Sequence, residues 1–251
     1  MSVPELTAEP SWQAVDFISD LHLQASEPAT FKSWQHYMHT TPADAVFILG
    51  DLFEVWVGDD VLQEHGFEQQ CAQVLWQTAA RVPTFFMHGN RDFLVGDSMM
   101  SKCNTSLIVD PTVLIFQHQR WLLSHGDALC LDDVDYMQFR QQVRSVDWQQ
   151  AFLAKPLIER QATARGLRQQ SEARKATDVE YIDVDTHAAR LLLQQAESAT
   201  LIHGHTHKPA VHDLGEGMRR VVLSDWDATA APPRAEVLRL SAQGLERIHW
   251  A

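Results

Sequence analysis

Five short polar clusters carry the residue types that could do chemistry: Asp20-x-His22, Gly50-Asp51, Gly89-Asn90-Arg91-Asp92, His125-Gly126-Asp127 and Gly204-His205-Thr206-His207. Together they offer carboxylate, imidazole and amide oxygen, and no thiol. That mixture suits manganese, iron or zinc in a mixed nitrogen–oxygen site. The seven candidate ligands, Asp20, His22, Asp51, Asn90, His125, His205 and His207, are too many for one tetrahedral zinc. They suit two ions that share a bridging carboxylate. Two cations about 3.5–4 Å apart clamp both oxygens of an in-line displacement at phosphorus, and a water between them loses its proton near neutral pH. Any one cluster has a plainer reading, since a strand-terminal Asp often caps a turn. Only the set as a whole points to metal chemistry.

Each cluster ends a short apolar run. The runs are 14–19 (AVDFIS), 45–49 (AVFIL), 84–88 (TFFMH), 113–124 (VLIFQHQRWLLS) and 200–203 (TLIH). They predict strands, with 113–124 folded as a hairpin turning at His118-Gln119-Arg120. Stretches near 28–40, 60–81 and 91–103 predict helices between them. The alternation implies an α/β layered domain whose ligands gather at the carboxyl ends of the strands. Residues 135–198 are rich in Gln, Arg and Ala, with only Pro156 and Gly166 as breakers, and predict a helical insertion. Runs at 220–223, 235–240 and 245–250 predict strands that close a second sheet. A length of 251 residues suits a single domain, 1–251, carrying that insertion.

The net charge of −13 argues against broad nucleic-acid binding through phosphate contacts. Residues 140–175 nevertheless hold eight Lys/Arg against three acids, a basic island of +5 in a remainder of −18. Three cysteines, Cys71, Cys103 and Cys130, lack zinc-finger spacing and imply free thiols in a reducing compartment. The first residues, MSVPELTAEPSWQA, contain no apolar segment of signal-peptide type, and no apolar run approaches the ~20 residues that cross a bilayer. A cytoplasmic protein is the expectation, with contact at a membrane surface left open. His36, His39, His65, His118, His187, His212 and His249 fit no ligand spacing and read as surface or packing residues.

The order D-x-H, GD, GN-R-D, HGD, GHTH resembles the calcineurin-like metallophosphoesterase family over residues 20–207. The resemblance implies a β-sandwich flanked by helices. It implies that Asp20, His22, Asp51 and His207 hold one metal, and that Asp51, Asn90, His125 and His205 hold the other, with Asp51 bridging. Asp92 and Asp127 then read either as acceptors for ligand imidazoles or as simple caps. Arg91 stands where many members have His. Arginine cannot act as a general acid at neutral pH, but it can clamp phosphate oxygens bidentately. A structural salt bridge is the plainer role for it.

The stretches ILGDLFEVWVGDD (48–60), HGNRDFLVG (88–96), HGDALCLDD (125–133) and HGHTHKPAVH (203–212) resemble one branch of that family. This branch is the UDP-2,3-diacylglucosamine diphosphatases of Gram-negative lipid A synthesis. The likeness implies a manganese-dependent hydrolase in which activated water attacks the diphosphate, giving UMP and 2,3-diacylglucosamine 1-phosphate. Asp20, His22, Asp51, Asn90, Arg91 and His125 are then the catalytic set. Asn90, Arg91, Asp133, Ser171, Lys175 and His205 match substrate-contacting positions. The chain departs from the branch at Asp178, where a lysine is expected, so Arg174 or Lys175 takes that place or the contact is missing.

The basic insertion has two readings. In one it is a lipid-substrate cap: its arginines face phosphates, and Val143, Val146, Trp148, Phe152, Leu153, Leu157 and Ile158 meet acyl chains or the cytoplasmic face of the inner membrane. In the other it is an ordinary amphipathic helix pair. Rival functions are a metallophosphoesterase acting on another nucleotide diphosphate or phosphodiester, and a scaffold without catalysis. A scaffold should show eroded ligands, whereas all seven positions hold suitable types.

Overall fold

This computed structural model describes residues 2–63, 66–175 and 183–250, without the side chains of 63 and 169–175. The strands are β1 (Glu5–Thr7), β2 (Ala14–Ile18), β3 (Ala45–Leu49), β4 (Thr84–Met87), β5 (Ser106–Ile108), β6 (Thr112–Phe116), β7 (Gln119–Ser124), β8 (Thr200–His203), β9 (Ala210–Gly215), β10 (Met218–Val222), β11 (Glu236–Ser241) and β12 (Gly244–His249). The helices are α1 (Pro28–Thr40), α2 (Phe67–Ala79), α3 (Asp97–Cys103), α4 (Val134–Val143), α5 (Val146–Leu153), α6 (Leu157–Lys175) and α7 (Thr186–Gln195). One mixed sheet has the order β12-β11-β2-β3-β4-β5, and the other β1-β6-β7-β8-β10-β9.

The apolar runs lack polar–apolar alternation because both faces of their strands are covered. Val15, Phe17, Ala45, Phe47 and Leu49 face the second sheet, meeting Leu114, Phe116, Leu123, Ile202 and Val221. Their neighbours Ile18, Val46 and Ile48 face outward onto Trp34, Tyr37, Cys71, Val74 and Leu75 of α1 and α2. Ala189 and Leu193 of α7 pack with Val113, Leu122 and Leu201 on the outer face of the second sheet. The layers are therefore helix, sheet, sheet, helix, which is the α/β sandwich expected. Among the described residues no helix is long and apolar enough to cross a membrane.

Several boundaries differ from expectation. The 60–81 helix is a short 3-10 turn, Asp59–Gln63, followed by α2. The 91–103 helix shortens to α3, because Asp59 Oδ1 accepts from Gly96 N at 3.0 Å and its Oδ2 from Met99 N at 2.8 Å, capping the helix there. The hairpin turns at Gln117-His118, both at positive φ, and not at 118–120; Phe116 pairs with Gln119 in register. Such a two-residue turn follows the natural strand twist. The C-terminal strands divide: β10 joins β8 and β9 in one sheet, while β11 and β12 extend the other beside β2. Short β1, β5 and β9 carry too little apolar pattern to be seen in advance.

One buried ionic knot ties β2 to its neighbours. Asp16, fully buried, accepts from Arg239 Nε at 2.8 Å and Nη2 at 2.9 Å, from Thr41 Oγ1 at 2.8 Å and from Tyr37 Oη at 3.0 Å. Removing one partner of a buried pair leaves an uncompensated charge. Arg239→Ala should therefore lower the urea-unfolding free energy by about 3 kcal/mol. A loss below about 1 kcal/mol would mean that Tyr37 and Thr41 alone satisfy Asp16.

Candidate dinuclear metal centre

The candidate ligands leave the carboxyl ends of neighbouring strands: Asp20 and His22 after β2, Asp51 after β3, Asn90 and Arg91 after β4, His125 after β7, and His205 and His207 after β8. Backbone bonds stitch the first two loops together, with Asp20 N on Gly50 O at 3.1 Å and His22 N on Asp51 O at 3.0 Å. The approach leaves no room for a side chain at two glycines. A Cβ on Gly89 would lie 2.1 Å from Asp51 Oδ1, and one on Gly204 2.3 Å from Asp20 Oδ2.

The structure brings all seven together. Asn90 Oδ1 lies 3.0 Å from His125 Nε2 and 2.9 Å from His205 Nδ1. Asp51 Oδ1 is 3.7 Å from His125 Nε2, while its Oδ2 is 4.0 Å from His22 Nδ1. Asp20 Oδ1 is 3.2 Å from His207 Nε2, and its Oδ2 accepts from Ser19 Oγ at 2.6 Å and His205 N at 2.9 Å. Two overlapping groups, Asp20/His22/His207 and Asp20/Asp51/His125, each offer donor atoms within 4.8 Å of one another and could hold an ion.

The donor atoms fit divalent cations better than they fit each other. His22 Nε2 and His207 Nε2 face one another at 3.2 Å, where two neutral imidazoles could share only one proton. Buried His22 Nδ1 makes no hydrogen bond. The charges are correspondingly polarised. Burial alone would raise the Asp20 carboxyl, yet the hydrogen bond and charge of His207, with His125 and His22, hold it well below the usual range. Burial lowers His125, but Asp51, Asp20 and Asp127 outweigh it and bring it up to about 9. Burial and the charge of His125 push His205 down to about 4.

The hydrogen bonds described for Asp92 and Asp127 run to backbone amides and to α4 and not to a candidate-ligand imidazole. Asp92 accepts from backbone N–H groups of Leu52 and Gly89, both at 2.8 Å, joining two ligand loops. Asp127 accepts from Tyr136 Oη at 2.6 Å and Arg140 Nε at 2.8 Å, fastening α4. The ring of His125 is instead oriented by Leu49 O, 2.9 Å from its Nδ1. Half-buried Asp133 caps α4 by accepting from Tyr136 N at 3.0 Å. The side chains of Ser171 and Lys175, and residue Asp178, lie outside the described residues. Buried Cys130 packs in the outer core with α7, and burial pushes its thiol up to about 12.

Other groups at the site escaped the sequence reading. Glu54 faces His22 and Arg91. Tyr136 stacks on His205 with ring centroids 5.9 Å apart. Arg144 Nη2 donates to Gly89 O at 2.8 Å while its guanidinium covers Phe93. Asp225 lies 4.0 Å from His207 Nδ1. None has a spacing that separates it from ordinary surface residues.

Five candidate ligands, Asp20, His22, Asp51, His205 and His207, hold positive φ of 48–65°. Such conformations cost non-glycine residues about 1–3 kcal/mol each and concentrate at functional sites. In metal-free protein His22→Gly should thus unfold at higher urea than His22→Ala, by about 1 kcal/mol, although both lose the ligand. Equal stability would show that the backbone at 22 relaxes once its imidazole is gone.

Comparison with known proteins agrees with this geometry. Residues 14–209 match the calcineurin-like phosphoesterase family. The UDP-2,3-diacylglucosamine hydrolase of Chromobacterium violaceum is 45% identical over 224 residues, 85% of this chain and 90% of that one. Proteins of the same name from Cellvibrio japonicus and Chromohalobacter salexigens are 41% and 39% identical, covering 93% and 83% of this chain and 98% and 87% of their own. This chain belongs to the calcineurin-like phosphoesterase family and is a metal-dependent hydrolase.

Proposed function

We propose that the chain hydrolyses the diphosphate of UDP-2,3-diacylglucosamine, releasing UMP and 2,3-diacylglucosamine 1-phosphate in lipid A synthesis. The observation that carries this is the meeting of residues from five strand-end clusters within hydrogen-bond or ion-pair distance of one another, with Arg91 set beside Asp51 at 3.9 Å. The names of the relatives supply the substrate. Asp20, His22, Asp51 and His207 would hold one divalent cation, and Asp51, Asn90, His125 and His205 the other. Asp51, with one oxygen toward each side, would bridge. When bound, two such ions, manganese first and iron or zinc as alternatives, supply an acidified water and screen the phosphoryl charge.

The chain's own residues do the rest. Asn90 contributes oxygen without negative charge, so positive charge at the site is kept for the substrate. Arg91, with 15% of its side chain exposed, can grip phosphate oxygens in a bidentate fork. It cannot donate a proton, and a leaving phosphate ester needs none. Asn90, Arg91, Asp133, Ser171, Lys175 and His205 are the proposed substrate contacts.

Helices α4, α5 and α6 form the proposed substrate cap within a single domain. Its apolar residues divide by role. Val143 and Phe152 are buried, and Trp148 and Leu157 are half-buried against the core. Val134, Phe139, Val146, Leu153 and Ile158 are exposed, and these are the ones offered to acyl chains and to peripheral contact with the cytoplasmic face of the inner membrane.

The reading is tested by following UMP release from UDP-2,3-diacylglucosamine in detergent, with and without manganese. Release that depends on manganese and is lost in His125→Ala is expected; hydrolysis of a generic phosphodiester alone would move the substrate elsewhere. Metal binding should also be pH-dependent. His125 holds its proton up to about 9 in metal-free protein and must lose it to ligate. Manganese affinity measured by calorimetry should rise about tenfold per pH unit from pH 7 until about 9, where the gain levels off. A flat profile over that range would show that metal binding displaces no proton from His125.

A further inference from the structure

Glu54 lies three residues past Asp51, belongs to none of the ligand clusters, and keeps only 11% of its side chain exposed. Its Oε1 is 3.4 Å from Arg91 Nη1 and pairs also with the guanidinium of Arg168 on α6. Its Oε2 is 3.3 Å from His22 Nδ1. One carboxylate thus touches a candidate metal ligand, the proposed phosphate clamp and a helix of the cap. Two guanidiniums close together repel one another, and cations held by Asp51 and His22 would add to that repulsion. Glu54 supplies the negative charge that lets both arginines stay.

We propose that Glu54 is a positioning residue that sets Arg91 and Arg168 together beside the metal centre and so holds α6 in place for an incoming diphosphate. The proposal rests on the diphosphatase reading above. Charge-assisted pairs of this kind are short and directional, so the anchor fixes guanidinium geometry as well as charge. Arg160 anchors the same helix farther along, pairing with Asp60 and donating to Val57 O. Among the described residues, Glu54 joins α6 directly to His22 and Arg91.

The test compares Glu54→Gln, Glu54→Asp, Arg168→Gln and the double variant Glu54→Gln/Arg168→Gln as folded, manganese-loaded proteins. With UDP-2,3-diacylglucosamine, Glu54→Gln should raise KM by about tenfold or more, with a smaller fall in kcat, because the lost arrangement serves binding. Glu54→Asp should recover most of that KM. The double variant should be no worse than the poorer single by more than about twofold, since both changes break one pair. An unchanged KM in Glu54→Gln, or single losses that multiply in the double variant, would overturn the proposal.

A second measurement needs no substrate. Backbone amides of 157–168 should exchange with deuterium about tenfold faster in both Glu54→Gln and Arg168→Gln than in wild type. Unaltered exchange in both would also overturn it. If Glu54→Gln does not fold, Arg168→Gln breaks the pair from the other side. If wild type releases no UMP, the diphosphatase reading falls, and the exchange rates still decide whether Glu54 anchors α6.

Discussion

Asp92 is completely buried and gives both carboxylate oxygens to the backbone of two loops. Leu52 N and Gly89 N donate to it at 2.8 Å, and Asp51 N and Phe53 N lie at 3.3 Å. The first loop carries Asp51; the second carries Asn90 and Arg91. Arg91 N in turn donates to Asp51 Oδ1 at 2.8 Å, so the loops are tied in both directions. An apolar side chain at 92 would leave several buried N–H groups without an acceptor, and an amide would set its own N–H against them. Burial and the nearby charge of Asp51 push Asp92 up to about 7. A cation on Asp51 would remove the second of those causes, so metal binding and this backbone knot support each other.

The cap is held by the same logic with the signs reversed. Its basic residues looked free for phosphates and lipid headgroups when seen as a run of charge. In the fold, Arg140 and Arg144 lie against Asp127, Arg160 pairs with Asp60, and Arg168 pairs with Glu54. Each of these four arginines meets an acid from the acidic remainder of the chain. Such pairs fasten α4 to Asp127 and α6 to Glu54 at little net electrostatic gain, because desolvation offsets much of the attraction. Their worth is in register. The guanidinium fork dictates where each helix lies, while Trp148, Phe152 and Leu157 supply the apolar contact that stabilises it.

What could be read from the sequence follows from distance along the chain. The candidate clusters were legible because each ends a continuous apolar run, and a strand buried on both faces has no other pattern to show. The helices α1 and α2 were visible as stretches between the strand runs, α2 with its start placed too early. The partners of Asp92, Asp127 and Glu54 were not, since a carboxylate does not reveal whether it will meet an imidazole, an arginine or a backbone amide. Arg160 and Asp60, for example, are 100 residues apart in sequence. The hairpin turn was misplaced because Gln117 and His118 take positive φ without the Gly or Asn that usually signals it. Short β1, β5 and β9 form because neighbouring strands offer them an edge.

The candidate ligand residues show the limit most clearly. Asp and His enter the left-handed region more readily than most non-glycine residues, but it is uncommon even for them, and Asp20, His22, Asp51, His205 and His207 all adopt it. The conformation persists because neighbouring contacts over-determine it. Leu21 N and His22 N both donate to Asp51 O, Trp226 N donates to Asp20 O, and Gly204 N donates to His125 O. Each bond joins one ligand loop to another or to a neighbouring strand, so relaxing one residue would break pairing at the next. Strain held in this way turns donor atoms inward that an unstrained turn would leave facing solvent. The sandwich core, with Phe17, Phe47 and Ile202 packed beneath the loops, supplies the stability that this arrangement draws on.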